Sequence, residues 1–135
     1  MNAGGTEGAD PRVGQRLPRS ARVRRGVEIR RLLRNGRRMR AGQLDLFISG
    51  SSASHPRFGI IVPRYGRTVV ERNLLRRRLR EIGRQEVLPR LRARDRKLDI
   101  LVRTRPGTYG SSFQDLRSDL IRITERLCSD ASPSG

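Results

Sequence analysis

"RFGIIVPRYGRTVVERNLLRRRLREI", Arg57 to Ile82, changes period halfway along. "RFGIIVP" reads as a short β-strand closed by Pro63, since an apolar run bounded by proline and glycine suits a sheet. From about Val70 the pattern turns helical. Leu75, Leu79 and Ile82 recur at i, i+4 and i+7, one stripe of an α-helix. Arg72, Arg76 and Arg80 keep the same spacing on a neighbouring row, with Asn73, Arg77 and Arg84 beside them. Like charges at i, i+4 cost a helix roughly 0.2–0.5 kcal/mol per pair. Glu71, Glu81 and Glu86 flank the run without interleaving it. Such repulsion points to a polyanion that relieves it. The pattern places this helix over about residues 70–87, weakened by Gly83 and stopped near Pro89.

The rest of the chain arranges itself around this strand and helix. "GVEIRRLLRNG" predicts a short helix that buries Val27, Ile29, Leu32 and Leu33, with Asn35-Gly36 as a left-handed stop. "QLDLFIS" alternates Leu44, Leu46 and Ile48 inward with Asp45, Phe47 and Ser49 outward, a half-buried strand. "GSSASHP" is a loop, "KLDILVR" a further strand and "RPGTYGSS" another loop. Ser112 with Asp115 forms a capping-box start for a last helix that buries Phe113, Leu116, Leu120, Ile123 and Leu127. Strands and helices are mixed, with a helical crossover between the last two strands. The expected class is α+β in a split βαβ layout, with helices packed on one small mixed sheet. The ends, 1–15 and 129–135, are small, polar and rich in Gly, Ser and Pro, so disordered tails are expected around a single domain over 16–128.

Composition narrows the function. The 135 residues carry a net charge of +18, the electrostatic footprint of a nucleic-acid binder. Of the 31 basic residues only Lys97 is lysine, and arginine's planar fork suits phosphate and base edges. Arg12 to Arg40 alone holds twelve arginines against one acid, Glu28. A single cysteine, Cys128, forms no internal disulfide and fits a reducing cytoplasm. No apolar stretch approaches the ~18 residues of a membrane span, and no secretory h-region opens the chain. Catalytic constellations are missing as well. The one histidine, His55, sits in a serine-rich loop, where a solvated role outweighs a general base. Asp95, Asp99, Asp115 and Asp119 are the carboxylates that could in principle carry a metal, but Asp115 and Asp119 are spaced as an ordinary helix face with Arg122 near to pair. "GGTEG" lies in a tail, not between strand and helix, so no phosphate loop for a small-molecule substrate is present.

The opening stretch resembles the signature of the bacterial ribonuclease P protein component: a strand ending in a basic turn, then a helix starting Arg-Asn, continuing in basic residues and closing in Arg-Glu. Arg72-Asn73 matches that start, and Arg76, Arg77, Arg80 and Glu81 its continuation. Upstream, "RLPRSARVRRGVEIRRLLRNGRRMRAGQLDLFI" resembles the family's first helix, glycine stop and early strands; downstream, "LDILVRTRPGTYGSSFQDLRSDLIRITERL" resembles its last strand and helix. The resemblance implies a ribosomal protein S5 domain 2-like fold, with a left-handed crossover through the arginine helix against the usual hand. It implies an accessory subunit that binds a catalytic RNA and the 5′ leader of precursor tRNA. The RNA holds Mg²⁺ and performs the hydrolysis, so no catalytic residue is expected in the chain. Arg72, Asn73 and Arg77 are then assigned to the catalytic RNA. Ile29, Leu33, Phe47, Arg64, Arg76 and Arg80 are assigned to the leader cleft.

Some positions depart from the family pattern. Leu74 stands where the helix usually carries a third cation, and Ile29 and Leu33 stand where two phenylalanines line the cleft. Stacking a base on an aromatic contributes ~1–3 kcal/mol, most of which an aliphatic side chain loses. Phe47 is the aromatic left to stack, with Phe58 and Tyr65 as further candidates. Two alternatives share the charge and size: a ribosomal or general structural RNA-binding protein, and a basic helix on anionic lipid, which lacks the apolar face such helices carry.

Overall fold

The computed structural model describes residues 17–129. The predicted tail at 1–15 and residues 130–135 of the predicted tail at 129–135 lie outside the described residues, whereas Ser129, expected in that tail, is the last residue of the final helix. After a single 3-10 turn at Arg19–Ala21 come α1 (Gly26–Asn35), β1 (Arg37–Ala41), β2 (Leu44–Gly50), β3 (Arg57–Ile61) and α2 (Val69–Ile82). A π-helical turn (Gly83–Val87), α3 (Leu88–Ala93), β4 (Leu98–Thr104), a further 3-10 turn (Pro106–Gly110) and α4 (Phe113–Ser129) complete the described residues.

The four strands form one mixed sheet in the order β1-β2-β4-β3. β1 and β2 are antiparallel, β2 and β4 are antiparallel, and β3 and β4 are parallel. The crossover from β3 through α2 and α3 therefore joins two neighbouring parallel strands. What β4 splits is β2 from β3. β1 has no clear alternation in the sequence: Met39 and Ala41 are its buried face, and the arginines at 37, 38 and 40 around them hide it.

Both faces of the sheet are covered. On one, Leu44, Leu46 and Ile48 of β2 meet Ile100 and Val102 of β4 and the inward stripes of α2, α3 and α4. Leu75, Leu79 and Ile82 supply the α2 stripe; Leu116, Leu120, Ile123 and Leu127 supply that of α4. Each fully buried Leu or Ile contributes about 1.5–3 kcal/mol. On the other face α1 lays Leu32 over Phe47, Leu101 and Val23. β2 is therefore buried on both faces, not half-buried as its alternation predicts. Val27 does not join this second core; it is 59 % exposed.

Three local expectations are corrected by packing. Gly36 is extended (φ −69°, ψ 151°), so α1 does not end in a left-handed cap. Its N–H donates to the Leu32 carbonyl at 2.9 Å, and a Cβ there would stand 2.6 Å from that same oxygen. Glycine serves close approach here, not backbone hand. The arginine helix does not stop near Pro89, because Pro89 occupies the first turn of α3, where its missing N–H is harmless. Nor is Gly83 a simple weak point: a Cβ on it would lie 2.5 Å from Phe58 Cδ2, so its bareness lets the helix sit on β3. The start of α2 carries a capping box that sequence reading passed over. The Glu71 N–H donates to Thr68 Oγ1 at 3.1 Å and the Thr68 N–H to Glu71 Oε1 at 2.9 Å.

Candidate nucleic-acid interface

Two basic surfaces flank the sheet. The first is built by strand period. On the face under α1, every second residue projects the same way: Arg38 and Arg40 from β1, Asp45 and Phe47 from β2, Leu101 and Arg103 from β4. α1 covers part of this face with Leu32, while Ile29 and Leu33 remain half-buried along its flank. Four arginines converge beside them on the buried Asp45. Arg38, Arg40, Arg103 and Arg105 approach its carboxylate at 3.4, 3.7, 3.6 and 3.5 Å.

Phe47 lies on this face, as the alternation predicts, but its ring is covered. Only 4 % of the residue is exposed, and the Arg38 and Arg103 guanidiniums sit over the ring at 5.7 and 5.0 Å from its centroid. Arginine planes, rather than an open aromatic, thus form the surface here. Phe58, 1 % exposed in the opposite core, offers no platform for a base. Tyr65 is partly open in the turn after β3, its hydroxyl donating to the Thr104 carbonyl at 3.3 Å. Arg64 is exposed in the same turn, past Ile61, the residue that pairs with Arg103.

α1 is fixed to the sheet by a partly buried ion triad. Arg57 of β3 donates to Asp99 of β4 through Nε at 2.9 Å and Nη2 at 2.7 Å, and to Glu28 of α1 through Nη1 at 3.0 Å. The hydrogen bonds to Asp99 hold the Arg57 guanidinium protonated well above the ordinary arginine range, and Glu28 adds to this against the cost of burial. The one acid of α1 is consumed in docking the helix.

The second surface is α2. With Leu75, Leu79 and Ile82 turned inward, Asn73, Arg76, Arg77 and Arg80 line a groove shared with Leu17 and Arg22 of the N-terminal segment. That segment lies along the β3 edge, where the Val23 N–H donates to the Phe58 carbonyl at 3.1 Å. The structure does not keep the two predicted arginine sets apart: Arg76 Nη1 donates to Asn73 Oδ1 at 2.7 Å. Arg72 lies outside the groove residues, half-buried, with its Nε buried and without a hydrogen-bond partner. The flanking acids are engaged elsewhere. Glu71 serves Thr68 and Arg67, and Glu81 accepts from Arg84 and Gln85.

Sequence reading missed Arg38, Arg40, Arg103, Arg105 and Arg22. Cross-strand neighbours in a strand without clear alternation leave no local signal. The expected ion pair is present, Arg122 Nη2 reaching Asp119 Oδ1 at 3.0 Å. His55 Nε2 lies 2.6 Å from the Ser20 carbonyl in its loop. Among the described residues no group of three His, Cys, Asp or Glu side chains gathers to hold a metal, and no helix is long and apolar enough to cross a membrane.

A sequence model of the ribonuclease P family matches residues 17–128. The ribonuclease P protein component of Acidothermus cellulolyticus is 34 % identical over 123 residues, covering 88 % of this chain and 98 % of its own. That of Desulfotalea psychrophila is 35 % identical over 104 residues, 76 % of this chain and 82 % of its own. The fold is shared with the RNase P protein of Thermotoga maritima at a TM-score of 0.64 and 23 % identity, covering 78 % of this chain and 96 % of that one. It is shared equally with the RNase P protein of Staphylococcus aureus, at a TM-score of 0.64 and 19 % identity over 78 % of this chain and 94 % of that one. The chain belongs to the ribonuclease P protein family, as a protein subunit of that enzyme.

Proposed function

We propose that the chain binds a catalytic ribonuclease P RNA through the outward side of α2, and the single-stranded 5′ leader of precursor tRNA along the α1 face of the sheet. The RNA carries the Mg²⁺-dependent hydrolysis that frees the mature 5′ end. The protein contributes affinity and orientation, working in the cytoplasm with its one free thiol, Cys128, buried. The observation that carries this reading is the pair of arginine surfaces on one sheet, the α2 groove at the β3 edge and the arginine fan beside α1. Two RNA segments are held at once by such an arrangement, each through phosphate contacts that release counterions.

Reconstitution with a bacterial ribonuclease P RNA at low magnesium tests it. Cleavage of precursor tRNA is expected only when RNA and protein are combined, and RNA-free protein should not cleave. Affinity should fall with salt at a log–log slope of about −0.7 per phosphate contact on single strands and −0.9 on duplex. Protein that leaves the RNA's rate and precursor affinity unchanged, or that sediments with ribosomes instead, would overturn the reading.

A further inference from the structure

We propose that Asp45 is a positioning residue that sets Arg38, Arg40, Arg103 and Arg105 as a clamp for one phosphodiester of single-stranded RNA. This rests on the reading that the α1 face takes the leader. β2 lies between β1 and β4, so Asp45 has a direct neighbour on each side, Arg40 and Arg103. Arg38 and Arg105 are its diagonal neighbours, within reach of long side chains. Both direct positions and two of the diagonal ones hold arginine, while a third diagonal position on this face, Leu101, is buried in the core beneath α1.

The charges do not cancel. Four guanidiniums against one carboxylate leave three positive charges in excess. All four contacts are long, 3.4 to 3.7 Å, so each fork, with five donors, keeps hydrogen-bonding capacity to turn outward. The Asp45 side chain is 4 % exposed, while those of Arg38 and Arg40 are 57 % and 59 % exposed. The acid therefore sits beneath its arginines and does not meet the ligand. Phe47 supports Arg38 and Arg103 from below. Without Asp45, mutual repulsion would splay the four side chains into solvent. Beside the fan, Ile29 and Leu33 provide an apolar flank for a base, so phosphate and base of one nucleotide both find a contact.

Asp45→Asn gives opposite signs for two explanations. It raises the net charge by one, so a surface acting through bulk charge would bind every RNA tighter. Positioning predicts that the holoenzyme's affinity for leader-bearing precursor falls about tenfold, the scale of one charge-assisted hydrogen bond, while its affinity for leaderless tRNA holds. In the Asp45→Asn background, adding Arg103→Gln should cost little more. Equal or tighter binding of leader-bearing precursor by Asp45→Asn overturns the proposal, as does an equal loss on both RNAs. If Asp45→Asn does not fold, Arg38→Gln with Arg103→Gln must give the same selective loss, and an unaltered leader preference there overturns it. Should the wild-type holoenzyme itself show no preference for leader-bearing precursor, the leader reading of this face fails first and the clamp with it.

Discussion

The Arg76 guanidinium donates a 2.7 Å hydrogen bond to the Asn73 side-chain oxygen one helical turn before it, tying together two residues that family resemblance assigns to different RNAs. Arg76 therefore reaches the groove with its orientation partly set by Asn73, and neither side chain acts alone. Asn73→Ala and Arg76→Ala are expected to be non-additive, with a coupling of about 0.5–3 kcal/mol for groups in direct contact. Affinities for catalytic RNA and for precursor, measured separately for both single variants and the double, give that coupling. Strict additivity, with each variant weakening a different ligand, would restore two independent rows.

Phe47→Ala should cost about 3–5 kcal/mol of stability, because a buried ring is replaced by a cavity. Denaturant unfolding measures this directly. Phe47→Leu keeps most of the volume but removes the ring beneath Arg38 and Arg103, each cation–π contact contributing about 0.5–1 kcal/mol. It should weaken leader-bearing precursor more than mature tRNA. Equal losses on both would remove Phe47 from leader recognition.

Gly83→Ala distinguishes propensity from packing. Intrinsic helix preference alone would make alanine stabilising by about 0.8–1 kcal/mol. The added Cβ, however, meets the Phe58 ring, which is buried and has nowhere to move. A destabilisation of about 1–3 kcal/mol is expected, the range for overpacked cores. A raised unfolding midpoint would contradict it.

Glu86 sets an acid limit on stability. Its pKa is lowered by the hydrogen bond from Arg90 and, against the cost of burial, by Arg117 of α4. An acid depressed in the folded state contributes stability above its unfolded pKa, and that stability is lost as pH falls through the folded value. The unfolding midpoint should therefore be level from about pH 5 to 8 and fall as pH drops through about 4.3, where unfolded glutamate is half protonated. Glu86→Gln should lower the midpoint at neutral pH and flatten the acid limb. An unchanged acid limb would show that the bridge from the π turn and α3 to α4 contributes nothing.

Whatever depends on local period and on summed charge is legible in the amino-acid order. The leucine stripe of α2 and the apolar stripe of α4 are spaced for a helix wherever they pack, and Ser112 with Asp115 caps α4 from three residues away, the Asp115 N–H reaching Ser112 Oγ at 3.0 Å. The net charge and the Arg-Asn helix after its strand point to RNA without reference to any tertiary contact. Tertiary structure alone decided what depends on residues distant in the chain. Asp45 is 58 and 60 positions from Arg103 and Arg105, and only the insertion of β4 beside β2 brings them to one carboxylate. Phe47 is on the predicted face yet closed, because whether an outward side chain is exposed is set by the layer above it, here α1 and two arginines. Gly36 and Gly83 read as a stop and a weak point because sequence shows a missing side chain, while the Leu32 oxygen and Phe58 ring that require its absence are supplied by folding. Period and charge are properties of the chain; coverage and register are properties of what packs against it.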